Sequence, residues 1–162
     1  MTRTLTLSRV DLADPGHGAT LLALLDHYAG DPMGGGKGLD PAARERLLPG
    51  LRATPHYRGA LAFCEGEAVG LINCFLGFST FAAMPLLNVH DIVVLRGRRG
   101  EGIGQALLSW AETIARDEGC CKLTLEVLSN NRPALQAYQR AGFAPYVLDP
   151  AAGQALFLQR IL

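Results

Sequence analysis

The turn "RGRRGEG" stands between the apolar stretch "LLNVHDIVVL", residues 86–95, and the long run "IGQALLSWAETIARDEG", residues 103–119. A strand delivered into a helix through so short a turn commits this part of the chain to a mixed α/β arrangement. Glycines at 100, 102 and 104 leave backbone N–H groups unshielded where the helix begins. There the helix dipole and the unpaired donors of the first turn favour an anion. Arg96, Arg98 and Arg99 add positive charge at the same place. The whole chain carries 15 basic and 15 acidic residues, so this concentration of charge is local. A phosphate or pyrophosphate is its natural occupant. The competing reading, packing glycines with solvated arginines, requires the glycine ladder, the strand and the helix to coincide by chance.

Spacing separates the known phosphate-binding designs. A P-loop needs G-x-x-x-x-G-K-[ST], but the one Gly-Lys pair, Gly36-Lys37, is followed by Gly38 and has Asp31 where the first glycine belongs. A dinucleotide fold needs G-x-G-x-x-G set tightly against the first strand. Here Gly102 and Gly104 are followed by Leu107 at the third glycine position, and a charged segment intervenes after the strand. Neither design fits.

The remaining elements follow from periodicity and punctuation. Residues 2–10 alternate like a strand, and residues 14–30 open on turn residues and run into an apolar helix. Asp40 and Pro41 mark the N-cap and first position of a second helix. Strands are expected at 57–65, 67–80 and 86–95, the first two joined by a tight turn at Glu65-Gly66-Glu67. After the 103–119 helix come a strand at 121–128, a short helix over 131–142 closed by Gly142, and strands at 143–148 and 153–162. No repeat or linker divides the chain, so residues 1–162 read as one mixed α/β domain.

With 49% apolar residues and a balanced charge, the chain has the composition of a globular domain, with no global pull toward nucleic acid. No apolar run reaches the roughly 20 residues of a membrane span, and Met1-Thr2-Arg3 leads into a strand-like stretch, which points to a cytoplasmic protein. Cys64, Cys74, Cys120 and Cys121 lie in apolar strand-like segments without C-x-x-C spacing and read as buried free thiols. His17, His27, His56 and His90 are scattered, so no metal site is expected.

Arg99-Gly100-Glu101-Gly102-Ile103-Gly104 matches the R/Q-x-x-G-x-G/A signature of the GNAT superfamily of N-acetyltransferases, which holds the pyrophosphate of acetyl-CoA. A second block, Asn131-x-x-Ala134-x-x-x-Tyr138-x-x-x-Gly142-Phe143, resembles that family's other cofactor segment, in the family's order and separation. The resemblance implies a mostly antiparallel twisted sheet of six to seven strands with one splayed parallel pair, flanked by about four helices. It also implies acetyl-CoA as acyl donor, held by Arg99, Gly100, Glu101, Gly102, Ile103, Gly104 and Gln105 at the turn. Ile92, Val93 and Val94 on the preceding strand, with Asn131, Ala134 and Tyr138, would hold the rest of that ligand.

Acetyl transfer to an amine needs a neutral amine, stabilisation of the carbonyl oxygen and a proton for the leaving thiolate. Tyr138 occupies the family's position for the proton donor; its other reading is a core aromatic. Asn131 can hold the cofactor arm or simply cap the short helix. Many relatives carry a glutamate on the strand before the turn, where this chain has His90-Asp91. Either could be the base, and strand alternation places them on opposite faces, so that only one should enter the cleft.

"GFSTFAAMPLLNVHDIVV" and "GQALFLQRIL" resemble segments of the polyamine and thialysine acetyltransferase branch, which implies a small-molecule primary amine as acceptor and a homodimer. The 24–38 segment lies where such relatives build the acceptor wall, with Tyr28 and Asp31 available to an ammonium. An aminoglycoside, a protein N-terminus or lysine as acceptor, and an acetyl-CoA-binding regulatory module without turnover, are the alternatives.

Overall fold

The computed structural model describes residues 4–162. In chain order the main elements are β1 (Leu5–Arg9), α1 (Pro15–Ala29), α2 (Pro41–Arg52), β2 (Tyr57–Cys64), β3 (Glu67–Ser79), β4 (Met84–Val94), α3 (Ile103–Asp117), β5 (Leu123–Leu125) and α4 (Arg132–Arg140). The expected strand at 2–10 is present as β1, and its residues 2 and 3 lie outside the described residues. Asp14 and Asp40 cap α1 and α2 by accepting from backbone N–H groups of the first turns, with proline just inside each helix, as their sequences dictate.

The five strands form one sheet in chain order, antiparallel throughout except for the parallel pair β4–β5. β2 turns into β3 through Glu65 (φ 53°) and Gly66 (φ 86°), the left-handed pair that a two-residue hairpin requires. One face of the sheet packs on α1 and α2 around Leu21, Leu24, Leu51, Leu61, Leu71 and Val93. The other packs on α3 around Val69, Ile72, Leu87, Val89, Ile103 and Leu107. Along α3 the buried positions Ile103, Leu107, Ala111 and Ala115 recur every fourth residue on one stripe. Leu107 alone, fully buried, contributes about 1.5–3 kcal/mol of hydrophobic stabilisation.

Two expectations are corrected. The segments 143–148 and 153–162 form no strand; the only regular element there is the 3₁₀ turn Pro150–Ala152, so the described sheet has five strands and not six or seven. Both segments are apolar on successive residues, a pattern suited to strands covered on two faces, and within one chain they find no such cover. Phe157 is 73% exposed and Leu158 82%. Secondly, Cys64 and Cys74 are buried free thiols, but Cys121 is exposed and Cys120 half-buried in the connection between α3 and β5. Among the described residues no helix is long and apolar enough to cross a membrane.

Candidate active site

β4 and β5 pair only over Leu87–Val89 and Leu123–Leu125, after which β4 continues alone on that side through Ile92, Val93 and Val94. The parallel pair therefore splays where it faces the glycine turn. On its other side β4 stays paired with β3, where Ile72 opposes Ile92 and Leu71 opposes Val93.

The turn itself is open at its helical end. Gly102, at φ 81°, is the N-cap of α3, and no side chain among the described residues bonds to the first-turn N–H groups. A side chain at Gly102 would point into empty space, and one at Gly104 would meet only a methyl of Val94 at 3.8 Å. Exposed donors, a helix N-terminus and no occluding side chain suit a pyrophosphate. Glu101 turns away to pair with Arg98 at 3.0 Å. Gln105 donates to the Ala137 carbonyl at 2.8 Å and so ties α3 to α4.

Arg99 and Arg96 reach a residue from a different part of the chain. The Asp31 carboxylate accepts from Arg99 at 3.0 Å and from Arg96 at 3.4 Å, while its other oxygen accepts from the Met33 N–H at 3.0 Å. The Met33 N–H and the Arg99 guanidinium hold this carboxyl at about 2, against the opposing effect of burial and with further help from Arg96. Asp31, the side chain expected to meet a substrate ammonium, is engaged by two guanidinium groups and a backbone N–H. Because its ionised form is favoured in the fold, Asp31 stabilises above its ordinary value of 3.8, and that contribution is lost as pH falls toward 2. Thermal unfolding of Asp31→Asn should show a lower Tm than the parent at pH 5 and a gap that closes between pH 4 and pH 2. A constant gap would assign the loss to packing.

The second half of the site is a cavity of about 340 Å³ beneath α1 and α2, lined by Tyr28, Leu47, Asn73, Phe75, His90 and Asp91 among others. His90 and Asp91 both face it, which overturns the expectation from strand alternation. The register between β3 and β4 passes from Asn73 opposite Asp91 to Cys74 opposite Val89, leaving His90 as an extra residue in a β-bulge. Leu87 and Val89 before the bulge, and Ile92 and Val94 after it, pack on the same face against α3. Both intervening side chains consequently fall on the opposite face. His90 stands edge-on to Phe75, ring centroids 5.6 Å apart.

Asp91 accepts from the Asn73 amide at 3.0 Å and has no ion-pair partner among the described residues. Gly34 packs so closely on α1 that a side chain there would collide with the Tyr28 carbonyl oxygen, so the loop that carries Asp31 presses on the cavity wall. Burial, then Asp91 and Asp31, raise the Tyr28 phenol above its usual value. Burial, with a smaller effect from Tyr28, pushes the Tyr138 phenol up to about 12. Tyr138 is thus protonated at any working pH. Asn131 caps α4, accepting from the Ala134 N–H at 3.3 Å, which is the local one of its two expected roles. Sequence reasoning missed Asn73 and Tyr57, although a lone amide inside the apolar run "GLINCFL" was the available signal.

An antiparallel sheet with one splayed parallel pair over an uncapped, glycine-led helix is the architecture of acetyltransferase folds. The aminoglycoside N-acetyltransferase AAC(6')-Iy in complex with CoA superimposes with a TM-score of 0.78 at 14% identity, covering 99% of this chain and 97% of that one. The sequence profile of the Acetyltransferase (GNAT) family matches residues 21–143, and the chain belongs to that family. Streptothricin acetyltransferase of Streptomyces lavendulae is 47% identical over 90 residues, 56% of this chain and 46% of that protein. Thialysine N-epsilon-acetyltransferase of Bos taurus is 30% identical over 102 residues, 57% of this chain and 59% of that protein. The matches span about half the length of these curated relatives.

Proposed function

We propose that this protein is an acetyl-CoA-dependent N-acetyltransferase acting on the primary amine of a small molecule. The observation that carries this reading is the course of β4. Its bulge presents His90 and Asp91 to the cavity, and its next residues, Ile92–Val94, paired with β3 but beyond the pairing with β5, run on toward the open turn of α3. One strand thereby joins an acceptor pocket to a pyrophosphate cradle. Family membership and relatives named for acetylating streptothricin, aminoalkylphosphonate and thialysine support the same reading.

The thioester supplies the acyl group. Backbone N–H groups of α3 and the neighbouring arginines bind the pyrophosphate, and the unpaired edge at Ile92–Val94 lines the arm. Asp91, with no cation of its own, receives the ammonium of the acceptor and takes its proton directly or through water; His90 stands beside it. As nitrogen bonds to the acyl carbon and the carbon–sulfur bond breaks, the Tyr138 hydroxyl gives its proton to the departing sulfur and is restored, directly or through water, by the proton that the acylated nitrogen sheds. Thiol release across a panel of polyamines, lysine analogues and aminoglycosides tests the activity. Stabilisation by acetyl-CoA without turnover on any amine would instead favour a regulatory module. In the pH dependence of kcat/KM, a rising limb that survives His90→Gln and vanishes in Asp91→Asn assigns the base to Asp91; the reverse assigns it to His90.

We also propose a homodimer in a cytoplasmic setting. Large apolar side chains between Tyr146 and Leu162, Leu148, Phe157, Leu158 and Ile161 among them, are each more than half exposed, as surface awaiting a partner would be. Light scattering should give twice 17.3 kDa, and Phe157→Asp with Leu158→Asp should lower that mass to the monomer's. A parent of 17.3 kDa at working concentration would reject the pairing.

A further inference from the structure

Among the described residues, Asn73 is the side-chain amide in the buried part of the sheet, 3% exposed between Ile72 and Cys74. A buried amide is costly unless its donors and acceptor are engaged. The Asn73 amide is engaged at both ends. The Tyr57 hydroxyl, itself buried, donates to its Oδ1 at 2.9 Å, and its Nδ2 donates to Asp91 Oδ2 at 3.0 Å. The amide can hold only this orientation, because the flipped one would set its carbonyl oxygen against a carboxylate. Burial, with Cys74 and Asp91 adding to it, raises the Tyr57 phenol far above its usual value, so its proton stays in place to fix the amide.

Among the described residues, no lysine or arginine pairs with Asp91. Tyr28 faces it from α1, Tyr57 from β2 and His90 from β4 itself, α2 contributes the apolar Leu47 and Leu51, and Cys74 lies across the sheet on the α3 side of β3. Tyr28 lies between Asp91 and Asp31, and the Cys74 thiol is pushed up to about 12 by burial and by Asp91. Among the described residues, the Asn73 amide is the hydrogen-bond donor that Asp91 has.

We propose that Asn73, oriented by Tyr57, is the positioning residue that keeps the Asp91 carboxylate aimed into the acceptor cavity. This rests on the reading of Asp91 as the base. Asn73→Leu combined with Tyr57→Phe removes both other members of the chain and leaves without its protein donor only the half-buried Asp91 carboxylate, which lines the cavity, so the fold should survive. The carboxyl carbon of Asp91, followed by NMR in the protein without acetyl-CoA, should then titrate at a higher pH than in the parent, because its donor is gone. The rising limb of kcat/KM should move by the same amount. Tyr57→Phe alone, which frees the amide to flip, should give a smaller shift in the same direction, and it decides the matter if the double variant does not fold. A folded variant in which both midpoints stay at the parent's values overturns the proposal, whatever its Tm. If Asp91→Asn keeps the kinetic limb, the base reading falls, and the carbon titration still reports whether Asn73 holds the carboxylate.

Discussion

Tyr138→Phe is expected to lower kcat by roughly 10²- to 10⁴-fold while acetyl-CoA binds about as tightly as before. The substitution removes one oxygen and leaves the ring, which packs edge-on to Phe143 at 6.1 Å and anchors α4. A phenol held at about 12 keeps its proton, and therefore its value as a donor, across the whole working range. Losing that proton source should appear in the chemical step and not in Tm. Steady-state rates on the best amine, with calorimetric affinity for acetyl-CoA and a melting curve, separate the outcomes. A lower Tm with kcat preserved would make Tyr138 a packing residue only.

Gly104→Val should weaken acetyl-CoA binding by tenfold or more, about 1.4 kcal/mol or above, by standing a branched side chain over the first-turn N–H groups. Position 104 is the informative one. Its backbone is helical and its Cβ would meet only Val94 at an ordinary 3.8 Å, so the fold should tolerate valine. Gly102→Val should weaken binding further, since it also forces a β-branched residue to φ 81°. Calorimetry on Gly104→Val that returns the parent's affinity would remove the turn from the ligand site.

The sequence shows the turn because its chemistry is local: alternate glycines, arginines and a helix start lie within ten residues, and their spacing alone eliminates other phosphate-binding designs. The caps at Asp14 and Asp40 are local for the same reason. What depends on partners distant in the chain is not legible. Asp31 looks like an available carboxylate until the fold brings Arg96 and Arg99 to it from 65 and 68 residues away. Asn73 looks like an isolated flaw in an apolar strand until Tyr57 and Asp91 flank it. Residues 143–162 have the composition of strands, but a strand needs a neighbour, and they pair with neither edge strand, β1 or β5. The face that His90 and Asp91 share was misjudged because alternation presumes an unbroken ladder, and nothing in the hydrophobic pattern marks where one extra residue enters.

That extra residue has an evolutionary consequence. With two residues of β4 opposite one of β3, removing either His90 or Asp91 restores an ordinary ladder, and every other side chain of the strand keeps its present face. Leu87 and Val89 stay under α3, Val93 stays under α1, and the approach to the glycine turn is unchanged. Elsewhere in β4, a one-residue deletion would turn the core side chains on one side of the gap out toward the wrong layer. The bulge is therefore the point in this strand where a single-codon insertion or deletion is silent to both cores, and where a cleft with one polar group can acquire or shed a second in one genetic step.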